Sequence, residues 1–265
     1  MKLSVSNIAW ETEDEQQILN ILKQQKFNAI EIAPTAIIKE HPYDNIKKAV
    51  DYLNIIKEKY NLEICSMQSI WYGIDGNIFN QEDQNKLIDY TFKAIDFASA
   101  INCKNIVFGC PKARNKKNEN MSNDIAIDFF KTICNYAKEK NVVIALEPNP
   151  KIYNTNFINT TKEAFDFVKK INLESFKVNV DFGTIIENKE DLKIIYENID
   201  LVNHIHISEP NLIKIQKRQI HYDFIKKLKD INYSKYVSIE MKKTGDINDL
   251  IDCINYLKEI YNEVQ

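Results

Sequence analysis

Glycine is scarce in this chain. Its 265 residues hold five, Gly73, Gly76, Gly109, Gly183 and Gly245, well below the usual share of about 7%. No two are spaced as GxGxxG or as the GxxxxGK motif, which excludes a glycine-rich loop cradling a nucleotide's phosphates. Any ligand site must be built from side chains. Long apolar runs are also missing. No stretch approaches the roughly 18 uninterrupted apolar residues of a membrane span, so no membrane partner is expected. The opening MKLSVSNIAWETEDE has one lysine and a broken apolar run before its acids, unlike a signal peptide. The five cysteines are odd in number and form no CxxC. That argues against a disulfide framework or a thiolate zinc site and suits a reducing, cytoplasmic location. Neither charge dominates: 35 basic residues face 38 acidic ones, a net of −3. Without a large basic field, nucleic acid is not an expected partner.

What is present is a rhythm. Short apolar, β-branched runs occur at Leu3–Ala9, Ala29–Ala33, Glu63–Met67, Asn105–Gly109, Val142–Glu147, Phe176–Asp181, Leu201–Ser208 and Tyr236–Glu240. They read as strands buried on both faces. Between them the apolar spacing becomes three and four, as in helices packed through one stripe. Those stretches are Asp14–Gln25, Asn45–Tyr60, Asn85–Ala100, Asn123–Lys140, Thr161–Lys170, Glu190–Asn198, Tyr222–Lys229 and Ile247–Asn262. Thr160 or Thr161 ahead of Glu163, and Asp246, are helix start signals. Eight strand–helix repeats in 265 residues predict an α/β fold, a single (β/α)8 TIM barrel over residues 1–265. An open doubly wound sheet would gather its polar signals at one switch point. Here they fall at strand ends all along the chain. Pro34, Pro111, Pro148 and Pro210 each follow a strand within two residues, as suits a residue that cannot continue a central strand. The polar stretches Trp71–Gln84 and Lys112–Asn123 are expected as long loops on the same face.

Four strong ligand types close four consecutive strands: Glu147, Asp181, His206 and Glu240, separated by 34, 25 and 34 residues. Neighbouring barrel strands lie about 4.8 Å apart, so these side chains can converge over the barrel mouth. Each carboxylate alone could be a helix cap, and a histidine inside a strand could be a core residue. Four in succession point to a metal site instead. Three gathered carboxylates repel one another unless a cation neutralises them. One imidazole with three carboxylates suits Mn²⁺, Mg²⁺, Co²⁺ or Zn²⁺, and one divalent ion, Mn²⁺ foremost, is the expected cofactor.

These segments also carry a family resemblance. Ala-Leu-Glu147-Pro-Asn-Pro, Val-Asp181-Phe-Gly, His204-Ile-His206-Ile-Ser-Glu and Ser-Ile-Glu240-Met resemble the xylose-isomerase-like TIM-barrel superfamily. That group holds sugar isomerases, sugar epimerases and DNA-repair endonucleases. The segments around Asn7, Glu31, Gln68 and Gly109 resemble its sugar phosphate isomerase/epimerase branch. The resemblance implies a metal-dependent isomerase or epimerase of a small sugar, sugar phosphate or sugar acid. Glu147, Asp181, His206 and Glu240 would hold the ion. Glu147 and Glu240 would move the proton through a metal-stabilised enediolate. Two positions depart from the epimerase pattern: Thr184 stands where histidine is usual, and Leu212 where arginine is usual. Both count against a free ketohexose as substrate.

Other candidates surround the same mouth. Lys112 and Arg114 could bind a substrate phosphate or carboxylate, and Gln68 and Asn149 could bond sugar hydroxyls. Trp71, with Trp10, Tyr72 and Tyr153, could wall a sugar-like ligand. His204 is expected one layer beneath His206, as a supporting residue. The same cation could serve a dehydratase or lyase of a cyclic polyol or keto acid. A non-catalytic sugar-binding barrel and an endonuclease are the remaining readings. The endonuclease's three-zinc cluster needs more than the four histidines present. A small-molecule substrate and a homodimeric assembly complete the expectations.

Overall fold

The computed structural model describes residues 1–118 and 120–264. Eight parallel strands close into a barrel in sequence order. They are β1 (Lys2–Ser6), β2 (Ala29–Ile32), β3 (Glu63–Met67), β4 (Asn105–Phe108), β5 (Val143–Leu146), β6 (Phe176–Asp181), β7 (Val202–Ile207) and β8 (Tyr236–Ile239). Pairing of Lys2 with Tyr236 through Val5 with Ile239 joins the last strand to the first. The helices are α1 (Glu15–Gln24), α2 (Pro34–Ile37), α3 (Ile46–Tyr60), α4 (Gln81–Ala100), α5 (Asp124–Glu139), α6 (Thr161–Ile171), α7 (Phe182–Asn188), α8 (Lys193–Tyr196), α9 (Gln219–Asp230) and α10 (Ile247–Glu263). None is long and apolar enough to cross a membrane.

The expected single TIM barrel is what forms, with local differences. β1 stops at Ser6 because Asn7 turns its side chain toward β2, where Oδ1 accepts the Ala33 N–H at 2.7 Å. The expected Glu190–Asn198 helix is replaced by α7 and α8. Asp181 caps α7 by accepting the Thr184 N–H, and Lys189 ends it in a left-handed conformation. α4 starts at Gln81, four residues before its expected Asn85, because the Asn80 side chain caps it through the Glu82 N–H. Thr160 and Glu163 form a capping box on α6, and Asp246 caps α10. The two long loops do share one face. Asn77 donates to the Asn115 carbonyl at 2.8 Å, and the Ile78 N–H donates to the Ala113 carbonyl at 2.9 Å.

The apolar core lies mainly between barrel and helices. Ile30, Ile32, Ile106, Phe108, Ile144, Leu146, Val178 and Val180 alternate along the strands and are fully buried. Each such side chain contributes about 1.5–3 kcal/mol on burial. Behind β4–β6, Phe130 packs on Phe108 at 4.9 Å and on Phe176 at 5.0 Å between centroids. This aromatic layer backs the strands that carry Glu147 and Asp181. On most strands the intervening positions are polar yet buried: Ser6, Glu31, Ser66, Asn105, Asn179, His204, His206 and Ser238, with Val107 and Ala145 as apolar exceptions. Several bond to side chains of nearby strands: Gln68 donates to Ser6 and Glu31, both at 2.8 Å, and Asn105 to Ser66 at 2.9 Å. Barrel interiors are usually filled with branched apolar side chains; this one holds a polar network instead.

Candidate metal centre and active site

Glu147 directly follows β5, Asp181 ends β6, His206 lies one residue before the end of β7, and Glu240 directly follows β8. One ligand atom from each lies within 4.8 Å of the others. His206 Nδ1 is 3.0 Å from Glu147 Oε1 and 3.1 Å from Glu240 Oε2. The Asn179 amide donates to Glu147 Oε1 at 2.7 Å. Asp181 is both a helix cap and a member of the cluster. Its Oδ2 accepts from the Thr184 N–H at 2.7 Å and the Thr184 hydroxyl at 2.8 Å, and its Oδ1 accepts from the Ser208 hydroxyl. Thr184, where the resemblance has histidine, thus holds a carboxylate.

Two glycines leave room for the cluster's carboxylates. A Cβ on Gly109 would stand 2.7 Å from Glu147 Oε2. A Cβ on Gly183 would meet Asp181 Oδ2 and the Glu209 carbonyl, each at 3.1 Å.

The electrostatics favour a cation. Burial, with Glu147 and Asp181 adding to it, pushes the Glu240 carboxyl up to about 7 against the pull of His206. Burial and Glu147 also raise Asp181. Burial opposes a charge on His206, but Glu240, Glu31 and Glu147 outweigh it and hold the ring well above its ordinary pKa. Three buried carboxylates that share one imidazole have too little positive charge among them. The donor set and spacing therefore fit a divalent ion with oxygen and nitrogen ligands.

Beneath this cluster lies a carboxylate to which sequence reasoning gave no role. Glu31 of β2 is fully buried. Its Oε2 is 3.0 Å from His206 Nε2 and 3.1 Å from His204 Nε2. Its Oε1 accepts from Gln68 at 2.8 Å. Burial opposes its charge, but His206 and His204 outweigh burial and hold it well below the usual carboxylate range. The His204 ring lies 5.2 Å from that of His206, and burial lowers its pKa. The sequence signal for Glu31 is a lone carboxylate inside the apolar run Ala-Ile-Glu-Ile-Ala, which cannot be buried without partners.

A cavity of about 200 Å³ opens over the cluster. Glu147, Asp181 and Glu240 line it, together with Gln68, Asn149 and Tyr153. Leu212, Val107, Cys110 and Pro111 supply apolar wall. Among the described residues, neither Lys112 nor Arg114, the expected anion-binding pair, lines this cavity. Arg114 is fully buried behind the cavity wall: Nη2 donates to the Glu147 carbonyl at 3.1 Å and to Asn149 Oδ1. Lys112 is exposed and does not line the cavity. Trp71 belongs to the core rather than to the pocket wall. Its indole N–H donates to Thr91 at 3.0 Å, and its ring meets Phe108 edge-on. Trp10 is buried and Tyr72 is 72% exposed; neither lines the cavity. A larger concavity of about 620 Å³ lies at the amino-terminal end of the barrel. Lys2, Lys23, Lys26 and Lys57 surround it with one carboxylate, Glu63, and no histidine. Barrel chemistry belongs to the opposite face.

Comparison with known proteins agrees with this architecture. An uncharacterized protein of Methanocaldococcus jannaschii is 22% identical over 275 residues, covering 99% of this chain and 91% of its own. Among solved structures, 3-keto-D-glucoside 4-epimerase from E. coli superposes with a TM-score of 0.77 at 18% identity, over 100% of this chain and 98% of its own. D-psicose 3-epimerase from Clostridium cellulolyticum H10, solved with D-tagatose, gives 0.72 at 16% identity, over 100% and 96%. A family 2 AP endonuclease from Brucella melitensis gives 0.74 at 16% identity, over 97% and 99%. At these identities the superpositions establish shared fold. The sequence profile of the xylose isomerase-like TIM barrel family matches residues 19–260, and the chain belongs to that family.

Proposed function

We propose that the protein is a divalent-metal-dependent isomerase or epimerase of a small, uncharged sugar. The observation that carries this reading is the convergence of Glu147, Asp181, His206 and Glu240 on one point in the floor of a cavity about 200 Å³ in volume. Sugar epimerases among the structural relatives support it. When bound, a divalent cation supplies Lewis-acid polarisation of a sugar carbonyl and offsets the carboxylate charge. Glu147 and Glu240 come from opposite ends of the β5–β8 arc and both line the cavity. One accepts the proton from the carbon beside the carbonyl and the other delivers a proton back. Return to the same carbon from the other face gives epimerisation. Return to the neighbouring carbon gives isomerisation.

The walls set the charge of the substrate. Among the described residues, no lysine or arginine lines the cavity. Three carboxylates with one divalent ion leave a net negative floor, which disfavours a phosphate or carboxylate on the substrate. Leu212 presents apolar surface where the resemblance has arginine. Gln68 and Tyr153 offer polar groups at the walls.

Metal analysis tests the reading. Purified protein should carry one divalent ion per chain after exposure to Mn²⁺, and its Tm should rise with added Mn²⁺. Glu147→Gln and Glu240→Gln should each reduce loading. Wild-type protein that takes up no metal and gains no thermal stability would sink the proposal.

A further inference from the structure

We propose that Arg114 is a positioning residue that fixes the Glu147 carboxylate through the side-chain amide of Asn149. The inference rests on Glu147 acting as a ligand of the metal centre. Three groups stand in a row. Arg114 Nη2 donates to Asn149 Oδ1, and Asn149 Nδ2 donates to Glu147 Oε2 at 3.0 Å. The guanidinium can only donate and the carboxylate can only accept. An amide between them satisfies both in one orientation alone, since a flip would set its NH₂ against the guanidinium and its oxygen against the carboxylate. The chemistry of the two ends therefore fixes Asn149.

The same guanidinium holds the main chain. Its Nη2 also donates to the Glu147 carbonyl at 3.1 Å. On the other side the Asn179 amide bonds Glu147 Oε1 at 2.7 Å, and Gly109 leaves the space Oε2 occupies. Glu147 is thus held at its backbone and at both carboxylate oxygens.

Core packing does not account for Arg114. It is fully buried, and among the described residues it forms no ion pair with a carboxylate and leaves Nε and Nη1 without acceptors. Burial lowers its pKa to about 10. A methionine of similar length would fill this space without desolvating a charge. The chain takes a left-handed turn at Cys110, φ 45°, to enter the Pro111–Arg114 turn that delivers the guanidinium.

The relay also reassigns Asn149. Each end of its amide makes a bond within the protein, so it orients Glu147, with its second N–H left over for a ligand.

The test compares wild type with Arg114→Met and with the double variant Arg114→Met/Asn149→Leu. The double variant removes both buried polar partners together, which protects the fold where a single change strands one of them. Mn²⁺ affinity and the visible absorption of the Co²⁺-loaded protein are measured. We expect affinity about 10–100-fold weaker in the folded double variant, with shifted Co²⁺ bands, and an effect no larger than that of Arg114→Met alone, because one relay is cut only once. A folded double variant with wild-type affinity and wild-type bands would overturn the proposal while leaving the metal centre standing. Wild-type protein that binds neither ion would overturn the metal centre and the relay together.

Discussion

Glu31 Oε2 lies 3.0 Å from His206 Nε2, across the barrel from β2 to β7. A carboxylate accepts only, so this contact places a proton on Nε2 and turns Nδ1 toward Glu147 and Glu240. The ring nitrogen that faces the cluster is therefore set by a residue outside it. Second carboxylates of this kind orient metal-binding histidines and raise their basicity.

Replacing that carboxylate by its amide should weaken the site without emptying the core. Glu31→Gln keeps the volume and the contact with Gln68 but removes the charge that fixes His206. Mn²⁺ affinity, measured by isothermal titration, should fall about 10–100-fold. Unchanged affinity in a folded Glu31→Gln protein would show that His206 needs no such support.

Gly109→Ala should separate the site from the fold. The added Cβ would stand 2.7 Å from Glu147 Oε2 and 3.5 Å from Asn149 Oδ1. The first contact forces the carboxylate to move; the second is ordinary contact. The metal-free Tm should stay close to wild type, while Mn²⁺ affinity falls about tenfold or more. A large loss of metal-free Tm with normal affinity would contradict this.

Much of this was legible in the sequence, for identifiable reasons. Strands buried on both faces read as short apolar runs, and Glu147, Asp181, His206 and Glu240 stand at their ends, where the barrel makes them converge. The partner of Glu31 was not legible, because His206 is 175 positions away and only closure of the barrel brings β2 opposite β7. Arg114 misled for a different reason. Its neighbours Lys112, Lys116 and Lys117 make the segment read as a solvated basic loop. Only the turn geometry after Cys110 shows that one of these cations is folded inward. Leu212, which stands where the resemblance has arginine, takes a left-handed φ of 53° and forms part of the cavity wall.

Metal loading should depend on pH. Glu240 is pushed up to about 7 by burial and by its carboxylate neighbours, so below that pH it takes up a proton that an incoming cation must expel. His206 Nδ1 faces the same competition. Mn²⁺ affinity should therefore rise with pH between about 6 and 8, with proton release visible as buffer-dependent binding heat. Affinity that is flat across this range, with no buffer dependence, would contradict the electrostatic account.

His221 should make the fold acid-sensitive, independently of the site. It is fully buried against Phe182 at 5.1 Å between centroids, and burial lowers its pKa from 6.5 to about 4. The unfolded chain binds this proton first, so the stabilisation is complete above about 6.5 and is lost as pH falls toward 4. The loss approaches about 3 kcal/mol. His221→Phe should flatten the decline of Tm over that interval. A variant whose Tm falls as steeply as wild type would remove His221 from the explanation.

The central claim is proton transfer at the metal centre on an uncharged sugar, and solvent deuterium exchange tests it most directly. Mn²⁺-loaded protein is incubated in D₂O with a panel of neutral keto-sugars and glycosides, and with their phosphorylated counterparts. The account predicts deuterium at a carbon next to the carbonyl of a neutral member, abolished by Glu147→Gln and by Glu240→Gln and unaffected by Lys112→Ala. Exchange confined to phosphorylated sugars, or exchange that survives loss of both glutamates, would contradict it.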